Sequence, residues 1–578
     1  GGRVLVENGH GEIHVVQLWH GLGVLAGYFW RGPAKWRAWT WTAITFLFAL
    51  ASSGYAVLLS FLQRMFWNVL QAKDPLRFQK VLVFYLVAVL IGPGVIVLFQ
   101  WAKERMSLAW RYSVTGRFLE NYMSDSRYFR IMGINESLDN PDQRIAEDIR
   151  QVSSQAVELM CAFLVGIIDA ALFSFILYKI YPPLYMFLIG YAVLGTVVTL
   201  VFGRGLISLN SVQLSKEADF RYSLVRVREN AESIAFYEGS AEETKTLMQR
   251  FDDALRNKAR LVRYSRDLGF FTTAYRYFVQ IIPSILIGPM VLTGKMPLGM
   301  ISQAYFSYNH VLSGVSLIVT EFTQLSALSA GIRRLTEFER VLSIQQPWEE
   351  NIENLEGENL SQQNLLMEIE DVSIKTPGKV ARALAQNLSF EIRPGQKLLV
   401  VGESGVGKSS LLRVLSGLWI RGSGRINRLP REKILFLPQR PYLTLGTLRE
   451  NIAYPRQAQA VTDEEIARAL RDVNLPDIVE RLGGLDAPSD RLSSILSLGE
   501  QQRIAFARLV LYRPSIVVMD ESTSALDIEN EKIVYTLIQD LNLTCISVGN
   551  RPSLLDYHTT LLRLHPDGSW VLESLQSE

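Results

Sequence analysis

Six apolar stretches occupy the first half of the chain, at roughly 40–61, 78–101, 157–178, 183–203, 270–292 and 300–325. About 20 apolar residues carry a helix across a bilayer. The pattern therefore predicts six membrane-spanning helices. The fifth stretch is the weakest, because its most apolar part is short and holds Pro283 and Pro289; it spans only if 270–277 extends it. Long polar segments follow the second and fourth stretches. The segment 229–257 is rich in Ala, Glu, Leu, Gln and Arg with few breakers, which predicts helices that continue out of the membrane. Near residue 343 the chain turns polar, with Gln345, Gln346, Pro347 and repeated Glu and Asn, as a linker does. Beyond it, short apolar strands such as 397–401 run into turns and helices. The expected organisation is an α-helical membrane domain at 1–342, a linker at 343–363 and an α/β domain at 364–578.

Charge orients this layout. Between the second and third spans lie Lys103, Arg105, Arg111, Arg117, Arg127, Arg130, Arg144 and Arg150. The fourth–fifth connection is equally basic, from Arg204 through Lys216, Arg221 and Arg250 to Arg260. The third–fourth connection offers only Lys179, and the fifth–sixth only Lys295. The two long basic segments and both termini are thus expected on the cytosolic or stromal side. The first–second connection, with Arg64, Lys73, Arg77 and Lys80, fits less well. A net charge of +2 argues against a dedicated nucleic-acid binder. Cys161 and Cys545, one in each half, exclude a disulfide framework and show no metal-ligand spacing. The sequence starts Gly1-Gly2 without Met, as expected of a processed or truncated form that has lost any targeting segment, so the compartment is not read from the N-terminus.

The polar half carries the chemistry. Gly402-Glu403-Ser404-Gly405-Val406-Gly407-Lys408-Ser409 fits the phosphate-binding pattern G-x-x-x-x-G-K-[ST], between an apolar run at 397–401 and the helical run Ser410–Leu415. Gly402, Gly405 and Gly407 let backbone N–H groups, with Ser404 and Ser410 beside them, wrap a phosphate. Lys408 is expected on the β/γ-phosphates and Ser409 on Mg²⁺. Downstream, 516–519 is an apolar strand that ends in Asp520 and Glu521. Asp520 is placed to support Mg²⁺. Glu521 is placed to polarise water as a general base. Before that strand, Ser497 and Gly499 precede a helix predicted over 501–509, a second anion site at a helix start.

With these motifs in this order, the chain resembles the ATP-binding cassette (ABC) transporters. Leu496–Gln501 is similar to their signature sequence, with Leu498 and Glu500 departing from its commonest form. Gln439 matches the family's glutamine loop, which senses Mg²⁺ and water, and Ser524–Asp527 matches the loop that crosses its dimer interface. The resemblance implies six membrane helices of exporter type, with long cytosolic extensions, fused to an α/β cassette. It also implies a half-transporter working as a dimer, a homodimer being expected. Ser497, Gly499, Glu500 and Asp527 of one copy would then complete the ATP site held by Gly402–Ser410 of the other. Asn140–Arg144, Ala218–Tyr222, Glu232–Tyr237 and Leu443–Leu448 resemble the D subfamily, which includes peroxisomal fatty-acyl transporters and similar plastid and cyanobacterial proteins and is related to bacterial peptide and cobalamin uptake proteins.

Two departures matter. The family usually places a histidine where this chain has Asn550, next to the γ-phosphate and attacking water. An amide there hydrogen-bonds but neither titrates nor carries charge, so tight ATP binding with slow hydrolysis is expected. Many relatives stack an aromatic on the adenine; the matching stretch here is Ser373–Pro377, with no aromatic. In the membrane half, the tips of the extensions, near 131–144 and 231–242, are expected to dock on a cassette, with Glu232 and Tyr237 at the partner's Gln439 loop. Asp169, Asn309 and His310 are polar groups inside apolar stretches, each suited to a helix-packing hydrogen bond or to contact with cargo. Arg105 and Arg111 suit either a positive-side anchor or an anionic head group. The expected function is ATP-driven transport of a small amphipathic acid across a bacterial, plastid or peroxisomal membrane. The alternatives are uptake of cobalamin or a peptide, an ATP-gated channel or regulator, and a soluble ABC-type ATPase for nucleic acid, against which the six apolar stretches argue.

Overall fold

The computed structural model describes residues 15–134, 141–317, 321–343, 351–357, 360, 364–376, 382–488 and 492–575. Asn140, Pro377 and much of the expected linker lie outside them. The chain divides into two compact units: Gly1–Ser124 with Leu138–Ser343, and Asp125–Ser137 with Ile344–Glu578.

The first unit is helical: α1 (Val15–Trp30), α2 (Lys35–Ala72), α3 (Pro75–Met123), then, past α4 (Arg127–Ile134) of the second unit, α5 (Ile149–Ile180), α6 (Pro182–Glu229), α7 (Ala231–Phe236), α8 (Ser240–Leu292), α9 (Gly299–Val315) and α10 (Phe322–Ser343). These helices outrun the apolar stretches. α3, α6 and α8 hold 49, 48 and 53 residues. At 1.5 Å per residue they are about 70–80 Å long, more than twice a bilayer's hydrocarbon thickness. The basic segments are continuations of the apolar helices, as their breaker-poor composition predicts. α8 runs unbroken through Pro283 and Pro289.

Among the described residues, three helices are long and apolar enough to cross a membrane: Lys35–Ala72, Pro75–Ile131 and Pro141–Ile180. Their apolar windows are only 22%, 17% and 28% buried. Leu90, Ile91, Val97, Ile167 and Phe175 point outward, a surface that suits hydrocarbon and not water. Shorter apolar runs occupy Pro182–Val198 and Ile281–Leu292.

The awkward first–second connection has a geometric reason. α2 continues to Ala72, Lys73 takes a left-handed φ of 55°, and Asp74 caps α3 by accepting from Leu76 N and Arg77 N at 3.1 Å. The connection is a tight turn. Arg64 lies inside α2 and donates to Gln303 Oε1 at 3.2 Å, so it is not a loop charge.

Two tips differ from the long helices that carry them. Asp125 and Ser126 have φ of 49° and 55°, which breaks the helix; α4 then folds with the second unit, where Arg431 donates to Ser126 Oγ at 3.5 Å. α7 is a short helix closed by Glu238 at φ 50°, with Phe236 and Tyr237 78% and 87% exposed.

The second unit holds two sheets. The smaller has the order β1-β5-β2-β3, with β1 (Glu353–Glu356), β2 (Met367–Lys375), β3 (Ala383–Ile392) and β5 (Gly422–Arg428). Its first strand falls inside the expected linker and pairs in parallel with β5, so this domain's sheet begins before residue 364. The larger has the order β10-β9-β4-β8-β7-β6, with β4 (Lys397–Gly402), β6 (Ile434–Leu437), β7 (Ile516–Asp520), β8 (Thr544–Val548), β9 (Thr560–Leu564) and β10 (Trp570–Ser574). All its pairings are parallel except β10 with β9. β8 is buried throughout, as expected of a parallel strand covered on both faces.

Candidate functional site

In an open parallel sheet, ligands bind beyond the carboxyl ends of the strands. Four neighbouring strands deliver the expected residues there. β4 runs into Gly402–Ser409, β6 leads to Gln439, β7 ends at Asp520 with Glu521 next, and β8 leads to Asn550. The register sets Val400 against Val548 and Val548 against Asp520. The phosphate loop, Asn550 and the two carboxylates therefore share one edge.

The loop needs its glycines. Gly405 and Gly407 have φ of +80° and +113°, and a Cβ on Gly407 would lie 3.1 Å from Leu384 Cβ. The helix Lys408–Leu415 starts directly behind them, so its N-terminal N–H groups face the loop. Lys408 is 8% exposed, and its Nζ donates to Gly402 O at 2.7 Å and Glu403 O at 3.0 Å. An ammonium has three donors, and one remains for a phosphate oxygen. Ser409 Oγ donates to Asp520 Oδ1 at 3.0 Å. Gln439 Nε2 donates to Glu521 Oε2 at 3.0 Å, while Glu521 itself sits at φ 47°. A non-glycine residue held there carries strain that clusters at functional sites. Glu521 N donates to Val548 O at 3.0 Å and Ser522 Oγ to Leu437 O at 2.6 Å; these two bonds fix the bend.

The signature residues stand apart. The helix predicted at 501–509 spans Leu498–Tyr512, so Gly499 lies within its first turn and not before it. Ser497 caps that helix and Glu500 closes a capping box, accepting from Ser497 N at 2.8 Å. Arg481 also donates to Glu500 at 2.6 Å, and these bonds outweigh burial to hold its carboxyl below the usual range. Asp527 caps Ile528–Asp540 by accepting from Asn530 N at 2.8 Å. Among the described residues, no hydrogen bond joins Ser497, Gly499, Glu500 or Asp527 to the phosphate loop.

Sequence reasoning missed the residue that ties these parts together. Gln502 is fully buried; its Nε2 donates to Gln439 O at 3.0 Å and its Oε1 accepts from Ala525 N at 3.1 Å. Nothing in the sequence separates it from Gln501, whose amide merely folds back onto Ser493 O and Leu496 O. Arg551 was also missed. It donates to Leu526 O at 2.9 Å, Ser524 O at 2.7 Å and Glu531 Oε2 at 2.9 Å, which ties the Asn550 turn to the 524–527 loop.

Asn550 is exposed, and the next histidine along the chain, His558, is engaged elsewhere. His558 is buried, donates from Nδ1 to Leu554 O at 2.6 Å and accepts from Ser547 Oγ at 2.7 Å. Burial pushes its pKa down to about 4. The sign follows from linkage: the neutral ring fits the fold, so its contribution is complete above the ordinary value near 6.5 and is lost as pH falls toward 4. Thermal unfolding is expected to show about 3 kcal/mol less stability at pH 4 than at pH 6.5 from this group. His558→Gln should flatten that slope. Asp527 and Asp567 are held below the usual carboxylate range by hydrogen bonds from Asn530 and Ser569, so their losses fall at lower pH.

Known proteins share this arrangement. A family model described as ABC transporter transmembrane region 2 matches residues 25–292, and one described as ABC transporter matches residues 385–524. ABC transporter D family member 2, chloroplastic, of Arabidopsis thaliana is 37% identical over 97% of this chain and 89% of its own. The human lysosomal cobalamin transporter ABCD4 is 31% identical over 89% of each. A bacterial Atm1-family ABC exporter solved with ATP bound superposes with a TM-score of 0.74 at 18% identity, over 93% of this chain and 95% of that one; this likeness shows the exporter-like fold. A nucleotide edge built from four strand ends, an apolar helical half and relatives matched over most of their length agree: this chain belongs to the ABC transporters, in the D subfamily, as a membrane half-transporter whose cassette binds and hydrolyses ATP to drive transport.

Proposed function

We propose that two copies of this chain form a homodimeric pump with six spans per copy, which moves an amphipathic acid such as a fatty acid or its acyl-CoA ester. The observation that carries the pairing is the split site. Ser497, Glu500 and Asp527 are engaged in helix caps and Gly499 lies in a helix first turn, with no described bond to the phosphate loop of their own chain, and a second copy supplies the missing half. The exposed Tyr237, with Glu232 on the same short helix, supports docking of that tip on the partner's cassette beside its Gln439 loop. Ser409, Asp520 and Gln439 offer a hydroxyl, a carboxylate and an amide oxygen. Hard oxygen donors, few in number, fit Mg²⁺, which keeps places for phosphate and water. When bound, the metal would neutralise phosphate charge.

The acid cargo is supported by Arg64, a guanidinium placed among the apolar helices at Gln303, whose own Nε2 has no partner. Arg105 lies 5.7 Å over the Trp41 ring, which favours the anchor reading for that residue. Chloroplastic and cyanobacterial relatives, each 37% identical, support a plastid or bacterial membrane. Cobalamin is the second reading, because relatives 30% and 31% identical are named lysosomal cobalamin transporters.

Reconstitution in liposomes with acyl-CoAs, free fatty acids, peptides and cobalamin tests the proposal. Acyl-CoA or fatty acid is expected to stimulate phosphate release about fivefold and to accumulate against a gradient. Stimulation by cobalamin alone would overturn the cargo. Equilibration without accumulation would overturn the pump in favour of a gated channel.

A further inference from the structure

Asp169 on α5 and His310 on α9 meet inside the apolar half, with His310 Nδ1 2.8 Å from Asp169 Oδ2. Asp169 is 8% exposed, and its other oxygen is buried without a partner. Both residues lie about three turns in from the helix ends Ile180 and Gly299, roughly 16 Å at 1.5 Å per residue. That is about the middle of a 30 Å hydrocarbon layer. The helices cross tightly beside the pair: a Cβ on Gly314 would lie 2.3 Å from Gly166 O.

The pair ends a polar stripe. Gly299, Gln303, Ser307 and His310 recur at helical spacing on one face of α9. At the end remote from the basic extensions, Gly299 N donates to Asn68 Oδ1 and Leu298 N to Gln71 Oε1, both at 2.9 Å. Arg64 follows at Gln303. Gln303 Nε2, Ser307 Oγ and, on α2, Ser53 Oγ are buried without partners. Unpaired buried polar groups are costly in an apolar interior; a file of them along one helix face suits bridging water. The imidazole itself stacks on Phe173 at 4.4 Å and tilts against Phe306 at 4.7 Å, ring faces that attract a cation.

We propose that Asp169 and His310 form a proton-binding site at mid-membrane, reached along this stripe from its Gly299 end, remote from the basic extensions, whose occupancy biases the transport cycle. The proton balance is simple. A hydronium ion releases a proton to the free ring nitrogen of His310 and leaves water, while Nδ1–H continues to donate to Asp169. The pair passes from a net charge of −1 to a neutral imidazolium–carboxylate. A net charge inside the bundle is costly, so the two forms favour different helix packings.

Elements packed on α5 and α9 bring other titratable groups, and the described contacts of these lie elsewhere. Arg64 of α2 sits at Gln303. Lys103 of α3 and Glu158 act on Cys161, more than two turns along α5. Tyr275 of α8 bonds Ser316 and stacks on Tyr191 of α6, with Tyr308 of α9 near both. Arg334 of α10 pairs with Asp148 at the far end of α5.

The inference rests on the transporter reading, and the test separates the two. In proteoliposomes with cassettes outward at fixed pH, lumenal pH is varied over about 5.5 to 8. ATP hydrolysis is expected to change about fivefold across that range, and Asp169→Asn and His310→Gln should each flatten it. Hydrolysis that ignores lumenal pH, or an unchanged response in Asp169→Asn, would overturn the site. Absence of hydrolysis at every lumenal pH would instead overturn the transporter reading. A second measurement uses the unaltered protein: ¹⁵N-histidine NMR in nanodiscs should show an imidazole converting to imidazolium, with that signal missing in His310→Gln. A His310 signal that does not move over the same range would overturn the proposal whatever the turnover.

Discussion

Glu521→Gln is expected to cut steady-state ATP hydrolysis by about 100-fold or more, the usual contribution of a positioned general base, while ATP affinity changes little. The substitution is isosteric. Gln439 Nε2 sits 3.0 Å from Glu521 Oε2, and the amide oxygen of the variant still accepts that bond. The backbone of residue 521, bent at φ 47° and tied to Val548 O, is unaffected by a change beyond Cγ. What the variant is expected to lose is the ability to take a proton from water. Phosphate release and equilibrium ATP binding, measured side by side, separate the two effects. The binding loop, with Lys408 held on Gly402 and Glu403 and Ser409 held on Asp520, lies on another strand end and should be untouched. A variant that hydrolyses at the parental rate would show that Glu521 is not the base; one that no longer binds ATP would show that the strained bend itself had collapsed.

The sequence made the nucleotide edge legible because each of its parts is a local motif. A phosphate loop is a strand, three glycines and a helix start in one contiguous run, and the geometry that makes it work is backbone geometry. The same holds for 516–521. The long extensions were legible from composition, since a helix without breakers continues. Relations between distant segments were not legible. Gln502 joins the Gln439 loop to Ala525 through one buried amide, and no local pattern marks it. Arg64 looked like a loop charge because the end of α2 is set by a left-handed Lys73 and an Asp74 cap, not by the end of the apolar run. β1 looked like linker because a four-residue strand at an edge pairs with β5 some seventy positions away. Asp169 and His310 each looked like isolated polar groups. Only antiparallel packing of α5 on α9 shows that they are one pair.

Asn550→His is expected to raise turnover about tenfold with little change in the ATP concentration at half-maximal rate. Residue 550 follows β8, whose neighbour β7 ends at Asp520, so it stands at the same strand edge as Glu521. Arg551, bonded to Ser524 O, Leu526 O and Glu531, holds the turn whichever side chain precedes it; a histidine should therefore enter an intact frame. Asn offers hydrogen bonds there but no charge and no titration. An imidazole adds a group that titrates near 6.5. The rate profile of the variant should accordingly acquire a titration between about pH 6 and 7 that the parent lacks. His558 does not mask this effect, since both its nitrogens are engaged in the buried core and its pKa is pushed down to about 4. Phosphate release followed across pH for both proteins gives the answer. Equal turnover with equal profiles would mean that the chain completes its hydrolytic site without a titrating group at 550, and that Gln439 and Glu521 alone govern the attacking water.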